Sequence, residues 1–204
     1  MLTLFTPFLP SVQTDLNALQ DSSLLPGWVV LIFVSLATLY TLIALFRPSL
    51  FSPPISWLKF LFPALTLIGL AVALYIAYVQ LAQVQAICGP LEECNTVLQS
   101  RYARLLGFLP NSVLGTMSYL AILFLWVWRI RSQDWLARQA PLLIVALTFL
   151  GSLLSIYLTV LQVLILKALC IWCLSSAILI TLLFLLSTPL YHESHSPSSP
   201  EDIQ

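Results

Sequence analysis

Five long apolar runs dominate the sequence and leave few folds open to it. They cover residues 28–46, 60–82, 109–128, 140–166 and 169–187. Each is long enough to cross a hydrocarbon core of roughly 30 Å, which takes about 20 helical residues. Because lipid offers the backbone no hydrogen-bond partner, such runs cross a bilayer as helices. The sequence therefore predicts an all-α integral membrane protein with five spans.

The composition agrees with this prediction and disfavours several functional classes. The chain is 60% hydrophobic and 8% charged, which leaves too little polar surface for a soluble domain. A formal net charge of zero gives no electrostatic footprint for nucleic acid. The five runs contain no Asp, Glu, Lys, Arg or His, which disfavours an ion-coupled transporter, because intramembrane ionisable groups do the coupling. The first 17 residues lack the charged start of a signal peptide.

The connecting segments predict an orientation and a division of the chain. Five basic residues lie in 47–59 and 129–139, and three lie in 83–108 and at 167. By the positive-inside rule, the N-terminus is outside and the C-terminus inside. We expect an N-terminal segment with an extra span over 1–59, a four-helix bundle over 60–187, and a polar, disordered tail over 188–204. The two tail histidines are interpreted as tail residues, and no metal site is predicted.

Four cysteines are the chemically distinctive residues. Cys88 and Cys94 lie in the loop after the second span, in CGPLEEC, and Cys170 and Cys173 open the fifth span, in CIWC. Between Cys94 and Cys170 the chain crosses the membrane twice, so both pairs lie at one face. The charge bias makes that face the external, oxidising one, where disulfides persist.

The CIWC pair combines helical spacing with a position at a helix start. Residues at i and i+3 share one face of a helix, and Cys173 lies about 4.5 Å deeper than Cys170. Free N–H groups and the helix dipole stabilise a thiolate there. Cys170 is thus placed to meet a thiol from the aqueous side, and Cys173 to meet a molecule dissolved in lipid.

The loop pair has a flexible setting. Gly89 and Pro90 favour a turn, and a ring closed by the two loop cysteines needs no helical geometry. The following residues, NTVLQSRYARLLGF (95–108), predict an amphipathic helix at the interface, above Cys173. The cysteines also have plainer interpretations: CIWC as ordinary buried cysteines, the loop pair as a structural disulfide, or all four as zinc ligands.

Several polar and aromatic residues near these cysteines leave two interpretations open. Trp172 suits an interfacial anchor or a wall of a ring-binding pocket. Asn111 suits a helix cap or a hydrogen-bond donor to a bound carbonyl. Gln162 and Tyr157 either bridge helices or contact a polar ligand group, because a buried polar group is costly unless it is bonded.

The order of these motifs resembles the vitamin K epoxide reductase family, in particular its bacterial and plastid members. The similar part covers roughly residues 60–187: the loop C-x₅-C, SRYARLLG, NSVLG, SIYLTVLQ and the terminal CIWC. The other well-known class of bacterial quinone-dependent disulfide oxidases has its cysteine pairs in the reverse order. The resemblance implies a four-helix bundle around a quinone, with the CxxC next to the quinone ring.

The resemblance also implies roles for individual residues. Cys173 matches the cysteine that reacts with the quinone, and Cys170 matches its disulfide partner. Cys94 matches the loop cysteine that exchanges with Cys170, and Cys88 its companion. Ser100 matches a loop serine of the family. Asn111 matches the asparagine that hydrogen-bonds the quinone in the animal enzymes.

Three differences from the family pattern narrow the expected activity. Ala177 occupies the position of a tyrosine in the animal enzymes, which favours simple quinone reduction over epoxide reduction. Asn95 replaces an Asp common in bacterial members. No fused thioredoxin-like domain follows the bundle, so a periplasmic or lumenal thioredoxin-like partner is expected in trans.

These features predict an enzyme that generates disulfides. It takes electrons from the partner through the loop pair and CIWC to a quinone of ubiquinone, menaquinone, plastoquinone or phylloquinone type. The expected location is the bacterial inner membrane or the thylakoid, with the active site on the periplasmic or lumenal side. The alternatives are the same relay run in the reductive direction, or a non-enzymatic membrane scaffold with structural disulfides.

Overall fold

Five long helices run through most of the chain. The computed structural model describes residues 24–47, 55–88, 94–105, 109–132 and 134–195. Five helices there are long and apolar enough to cross a membrane, which confirms the predicted number of spans. The α-helices in these ranges are α1 (Leu25–Phe46), α2 (Ile55–Ala82), α3 (Cys94–Gln99), α4 (Asn111–Arg131), α5 (Trp135–Val160) and α6 (Ile171–His195).

The helix ends differ from the predicted spans by a few residues. α4 begins at Asn111 because the preceding Pro110 has extended backbone, with φ −61° and ψ 132°. α6 continues to His195, so residues 188–195 of the expected tail are helical. Leu190, in this extension, is buried in the bundle core, and that burial accounts for the longer helix. Residues 196–204 and 1–23 lie outside the described residues.

Four helices form the bundle and the first helix packs on its outside. α6 packs against α5 and α2, and α4 packs against α2 and α5, which makes these four the core. α1 packs against α6 and α5. The largest cluster of buried apolar side chains joins the four core helices and comprises Phe62, Ala73, Tyr119, Ile122, Leu125, Ala140, Ile144, Ile180, Leu183 and Leu190.

Small residues allow the helices to approach closely. A Cβ atom added at Gly151 of α5 would lie 2.7 Å from Cγ1 of Ile180 on α6. A Cβ atom added at Gly27 of α1 would lie 2.6 Å from Cδ2 of Leu169 and 2.8 Å from Cγ2 of Val163. Close van der Waals packing drives helix association in lipid, so these glycines fix where α5 and α1 lie.

A short roof covers one end of the bundle. In the described part of the segment predicted as an amphipathic helix, residues 95–105, α3 is followed by a 3₁₀ turn (Arg101–Ala103). β1 (Arg104–Leu105) then pairs antiparallel with β2 (Leu109–Pro110). The Ser100 hydroxyl donates to the Val97 carbonyl oxygen (2.8 Å), which competes with continuation of the helix. The described part of the roof is therefore a short helix followed by tight turns.

The connection between α5 and α6 has an irregular backbone. α5 passes into a π-helical turn, Leu161–Leu166. Lys167 then adopts a left-handed conformation, with φ 50° and ψ 31°, and ends the turn. π-Turns occur often at functional sites, because they turn a side chain that a regular helix would place elsewhere. The turn places Gln162 against the start of α6.

Candidate functional site

All four cysteines lie together at the roofed end of the bundle. They belong to one buried cluster, in which Cys88, Cys94 and Cys170 are buried and Cys173 is half-buried. Both pairs therefore share one end, as the even number of crossings between them requires. No group of three or more side chains arranged to hold a metal ion occurs in the part of the chain that the structure describes.

The four sulfur atoms form a continuous row. The thiol of Cys88 donates to the Ala86 carbonyl oxygen (3.4 Å) and lies close enough to Cys94 for each thiol to shift the pKa of the other, and the same holds for Cys94 and Cys170. The thiol of Cys173 donates to Sγ of Cys170, with 2.9 Å between the two sulfur atoms. The four sulfur atoms therefore follow one another from the loop to α6. We call this arrangement the sulfur row.

The loop segment that carries Cys88 is held by side chains from the bundle. The Ala86 N–H donates to Oδ1 of Asn95 (2.8 Å), and the Ile87 N–H donates to the Tyr75 hydroxyl (3.0 Å). These bonds fix the backbone just before Cys88, so its thiol stays beside Cys94.

Trp172 belongs to the same loop contact. Its Nε1 donates to the Ile87 carbonyl oxygen (3.0 Å), and its ring packs on Tyr75 with 4.6 Å between centroids. Trp172 is not among the residues that line the cavity described below. The structure thus places Trp172 between α2 and the loop.

The start of α6 directs its N–H groups at this site. Cys170 immediately precedes the helix, and its sulfur accepts the Cys173 N–H at 3.4 Å, as an N-cap side chain does. The Ile171 N–H bonds to the sulfur of Cys94. The Cys170 N–H donates to Oε1 of Gln162 (3.0 Å). Two of the four N–H groups that a helix start leaves free therefore support sulfur atoms that lie next to each other in the sulfur row.

Burial controls the acidity of these thiols. Burial raises the pKa of Cys88 to about 12, and the hydrogen bond to Cys94 adds to this effect. Burial also raises the pKa of Cys94, although the Ile171 N–H lowers it. The hydrogen bond from Cys173 raises the pKa of Cys170, and burial adds to this effect. These three groups therefore rest as thiols at neutral pH.

A cavity begins where the sulfur row ends. It has a volume of about 750 Å³, including its open mouth, and lies between the roof and helices α2, α4, α5 and α6. Cys173, Ser100 and Asn111 all line it, so the structure brings these three predicted site residues together. Most of the wall is apolar, and its lining residues include Gln80, Ser112, Gln162, Ala177 and Leu166.

Asn111 presents an unpartnered acceptor at this cavity. Its Nδ2 donates to the Tyr102 carbonyl oxygen at 2.9 Å, which fixes the orientation of the amide, since only the NH₂ group can face a carbonyl. Its Oδ1 is buried and has no partner among the described residues. A buried acceptor without a partner is costly, so this atom favours a ligand with a hydroxyl group. Ser100, by contrast, donates to the Val97 carbonyl oxygen.

Gln80 and Ser112, two polar residues that line the cavity and connect its walls, were not identified from the sequence. Nε2 of Gln80 on α2 donates to the Leu98 carbonyl oxygen of the roof (3.1 Å). The Ser112 hydroxyl of α4 donates to Oε1 of the same Gln80. Gln80 thereby ties the roof to two bundle helices. Its sequence signal is weak: an amide near the end of an apolar run.

The two polar residues noted in the fourth span have different surroundings. Gln162 is 3% exposed and reaches the start of α6, so it bridges two elements. Tyr157 is 54% exposed. Of this pair, only Gln162 lines the cavity.

The family comparison agrees with this geometry. The sequence model of the vitamin K epoxide reductase family matches residues 60–188, more than half of the chain. The matched part contains α3, α4, α5, the four cysteines and the cavity residues, whereas α1 precedes it. A comparison with curated proteins found no match.

Proposed function

The chain belongs to the vitamin K epoxide reductase family of membrane thiol–disulfide oxidoreductases, and we propose that it generates disulfides by reducing a membrane quinone. In this proposal a thioredoxin-fold protein delivers electrons to the Cys88–Cys94 pair. They then pass to the Cys170–Cys173 pair and leave at the cavity.

The sulfur row carries the proposal. Thiol–disulfide exchange requires the attacking sulfur to contact the sulfur that it attacks. Each of the three exchanges in the proposed relay joins neighbours in the row: Cys88 with Cys94, Cys94 with Cys170, and Cys170 with Cys173. Cys173, the last member, also lines the cavity. Purely structural disulfides would need no contact between the loop pair and CIWC.

The proposed relay is a series of thiol–disulfide exchange steps that begins with the donor and ends at CIWC. A thiolate of the donor attacks Cys88 of the Cys88–Cys94 disulfide, and a second donor thiol then attacks the first, which forms the donor disulfide and releases Cys88, so the loop pair gains two electrons. Cys94 then attacks Cys170 of the oxidised CIWC pair, which breaks the Cys170–Cys173 bond and releases the Cys173 thiolate. Cys88 attacks Cys94, restores the loop disulfide and releases Cys170. Each step forms one S–S bond and breaks one.

Burial gives Cys94 a specific part in this sequence. When the donor breaks the loop disulfide at Cys88, Cys94 leaves as a thiolate. Because burial raises the pKa of Cys94, this thiolate is strongly nucleophilic, since nucleophilicity rises with basicity. Its sulfur neighbours Cys170 in the sulfur row.

The cavity residues fit a quinone. Apolar side chains such as Leu166 and Ala177 suit a planar ring, and the unpartnered Oδ1 of Asn111 suits the hydroxyl group of the reduced form. When bound, a quinone supplies the acceptor for two electrons and two protons from the reduced CIWC pair. The protein's own contribution is to hold Cys173 at the cavity wall.

The test is anaerobic quinone reduction by the purified protein, followed spectroscopically with a reduced thioredoxin-fold protein as the donor. Wild type is compared with Cys94→Ser and Cys173→Ser, and Met117→Ala, a 60% exposed position on α4, is the control. We expect wild type and the control to turn over and both cysteine variants to stall.

A small dithiol separates the two cysteine variants. Dithiothreitol, which can reduce CIWC without the loop, should restore turnover to Cys94→Ser and not to Cys173→Ser. Absence of donor-dependent turnover in wild type with both benzoquinones and naphthoquinones would contradict the proposal. Oxidation of added quinol by the oxidised partner would instead show that the relay runs in the reductive direction.

A further inference from the structure

Gln162 is a polar residue in an unusual position. It lies in the π-helical turn, is 3% exposed, and lines the cavity together with Cys173. A primary amide in an apolar interior is costly unless both of its ends are bonded. The partners of its two polar ends therefore indicate which kind of ligand group the cavity can bind.

One end of the Gln162 amide is committed to the CIWC motif. Its Oε1 accepts the Cys170 N–H at 3.0 Å, and this partner fixes the orientation of the amide, because an N–H can face only the oxygen. Nε2 is then the end that remains. No acceptor for Nε2 is found among the described residues, and Nε2 is not one of the enclosed side-chain atoms that lack a partner. It therefore has open space, and the open space beside this residue is the cavity.

Three other polar side chains that line the cavity donate to the protein. Nδ2 of Asn111 donates to the Tyr102 carbonyl oxygen, and the Ser112 hydroxyl donates to Gln80. Oγ1 of Thr159 donates to a carbonyl oxygen of its own helix at 2.8 Å. A ligand that carries carbonyl groups needs a donor, and the Gln162 amide has one.

We propose that Gln162 determines the specificity of the cavity by donating a hydrogen bond from Nε2 to a carbonyl oxygen of the bound ring. This inference rests on the proposed function and deepens it. Gln162 then supplies the donor and Asn111 the acceptor, so one cavity holds both the carbonyl form and the hydroxyl form of the same ring. Because the same amide holds the Cys170 N–H, the bound oxygen and the CIWC motif are positioned by one side chain.

A binding comparison tests this role without catalysis. The parent is the full chain with Cys173→Ser, and the probes are 2,3-dimethyl-1,4-naphthoquinone and 2,3-dimethylnaphthalene, which share a ring system but differ in the two oxygens. Gln162→Met keeps the length of the side chain and removes both polar atoms. We expect it to raise the Kd of the quinone about tenfold, the effect of one lost hydrogen bond, and that of the hydrocarbon less than about twofold.

The controls separate binding from folding. Tyr157→Phe removes a hydroxyl from the same helix at a 54% exposed position and should change neither Kd. If Gln162→Met yields no folded protein, Gln162→Asn, which cannot reach both partners, should show the same selective loss. Equal weakening of both probes, no change in either, or no binding of either probe to the parent would overturn the inference.

Turnover distinguishes failure of this inference from failure of the proposed function. In the wild-type background, Gln162→Met should raise the KM for the quinone more than it lowers kcat. If wild type turns over and the Met variant matches it in KM and in Kd, the specificity role is wrong and the relay stands. If wild type reduces no quinone, the relay is wrong, and the binding comparison still decides the role of Gln162.

Discussion

Two double variants test the order of the sulfur row. Cys88→Ser/Cys173→Ser keeps the inner pair, Cys94 and Cys170, which are neighbours in the row. Cys94→Ser/Cys170→Ser keeps the outer pair, the two ends of the row. A disulfide needs about 2.05 Å between sulfur atoms, so neighbours in the row have less far to move than its two ends. Misplacement by 1 Å can slow a reaction by about 10²-fold, so we expect the inner pair to cross-link at least about 10²-fold faster.

The unfolded chain supplies the matched control. The two pairs are separated by 76 and 85 residues, so the cost of closing the two loops differs by only about 0.1 kcal/mol. After denaturation both variants should therefore oxidise at nearly equal rates. Any difference in the native protein then measures geometry and not chain length.

The assay uses the reduced variants with diamide as the oxidant. Samples are quenched with N-ethylmaleimide at intervals, and the intact mass distinguishes a disulfide from two alkylated thiols. If the outer pair closes as fast as the inner pair in the native protein, the sulfur row is wrong. The same conclusion follows if the inner pair closes no faster in the native protein than after denaturation.

Three further predictions concern acidity, packing and the loop. Because burial raises the pKa of Cys88 from 9.0 to about 12, its thiol form is favoured in the folded protein. The rate of its alkylation should therefore rise about tenfold per pH unit beyond pH 9 in the native protein and level off near pH 9 after unfolding, as mass-spectrometric mapping would show. Gly27→Val should destabilise the protein by about 1–3 kcal/mol and slow exchange between loop and CIWC, because the new Cβ meets Leu169; a normal melting curve with normal exchange would count against this packing. Asn95→Leu should cost about 1–3 kcal/mol and lower the yield of the loop disulfide, because it leaves the Ala86 N–H without a partner, whereas Asn95→Asp should retain that yield in a gel-shift assay.

The sequence predicts those features that depend on one segment at a time. Apolar runs of sufficient length gave the five spans, and counting crossings placed both cysteine pairs at one end. The family motifs pointed to Ser100, Asn111 and Cys173, which line one cavity in the structure. None of these predictions requires knowledge of how two segments approach each other.

The remaining features depend on how two segments of the chain approach each other. The position of Cys170 before the helix, rather than in its first turn, follows from the left-handed backbone of Lys167, a residue without the usual glycine signal. As a result, the Cys173 N–H supports the sulfur of Cys170. The bonds of Gln80 to the roof and of Gln162 to Cys170 join residues 18 and 8 positions apart. An isolated amide in an apolar run does not reveal its partner.

The additional helix α1 supports the part of the bundle where this irregular backbone lies. The matched family region begins after α1, at residue 60, yet Gly27 of α1 packs directly on Val163 and Leu169. Val163 follows Gln162 in the chain, and Leu169 precedes Cys170. α1 therefore contacts the chain neighbours of Gln162 and Cys170, the two residues joined by the hydrogen bond from the Cys170 N–H to Gln162. A π-turn followed by a left-handed residue is less regular than a helix and persists only where its surroundings hold it. We therefore expect α1 to act on the relay through the position of Cys170 rather than through any chemistry of its own. Apolar-to-apolar changes on the face of α1 that meets these residues should alter the exchange between Cys94 and Cys170, whereas the same changes on its exposed face should not.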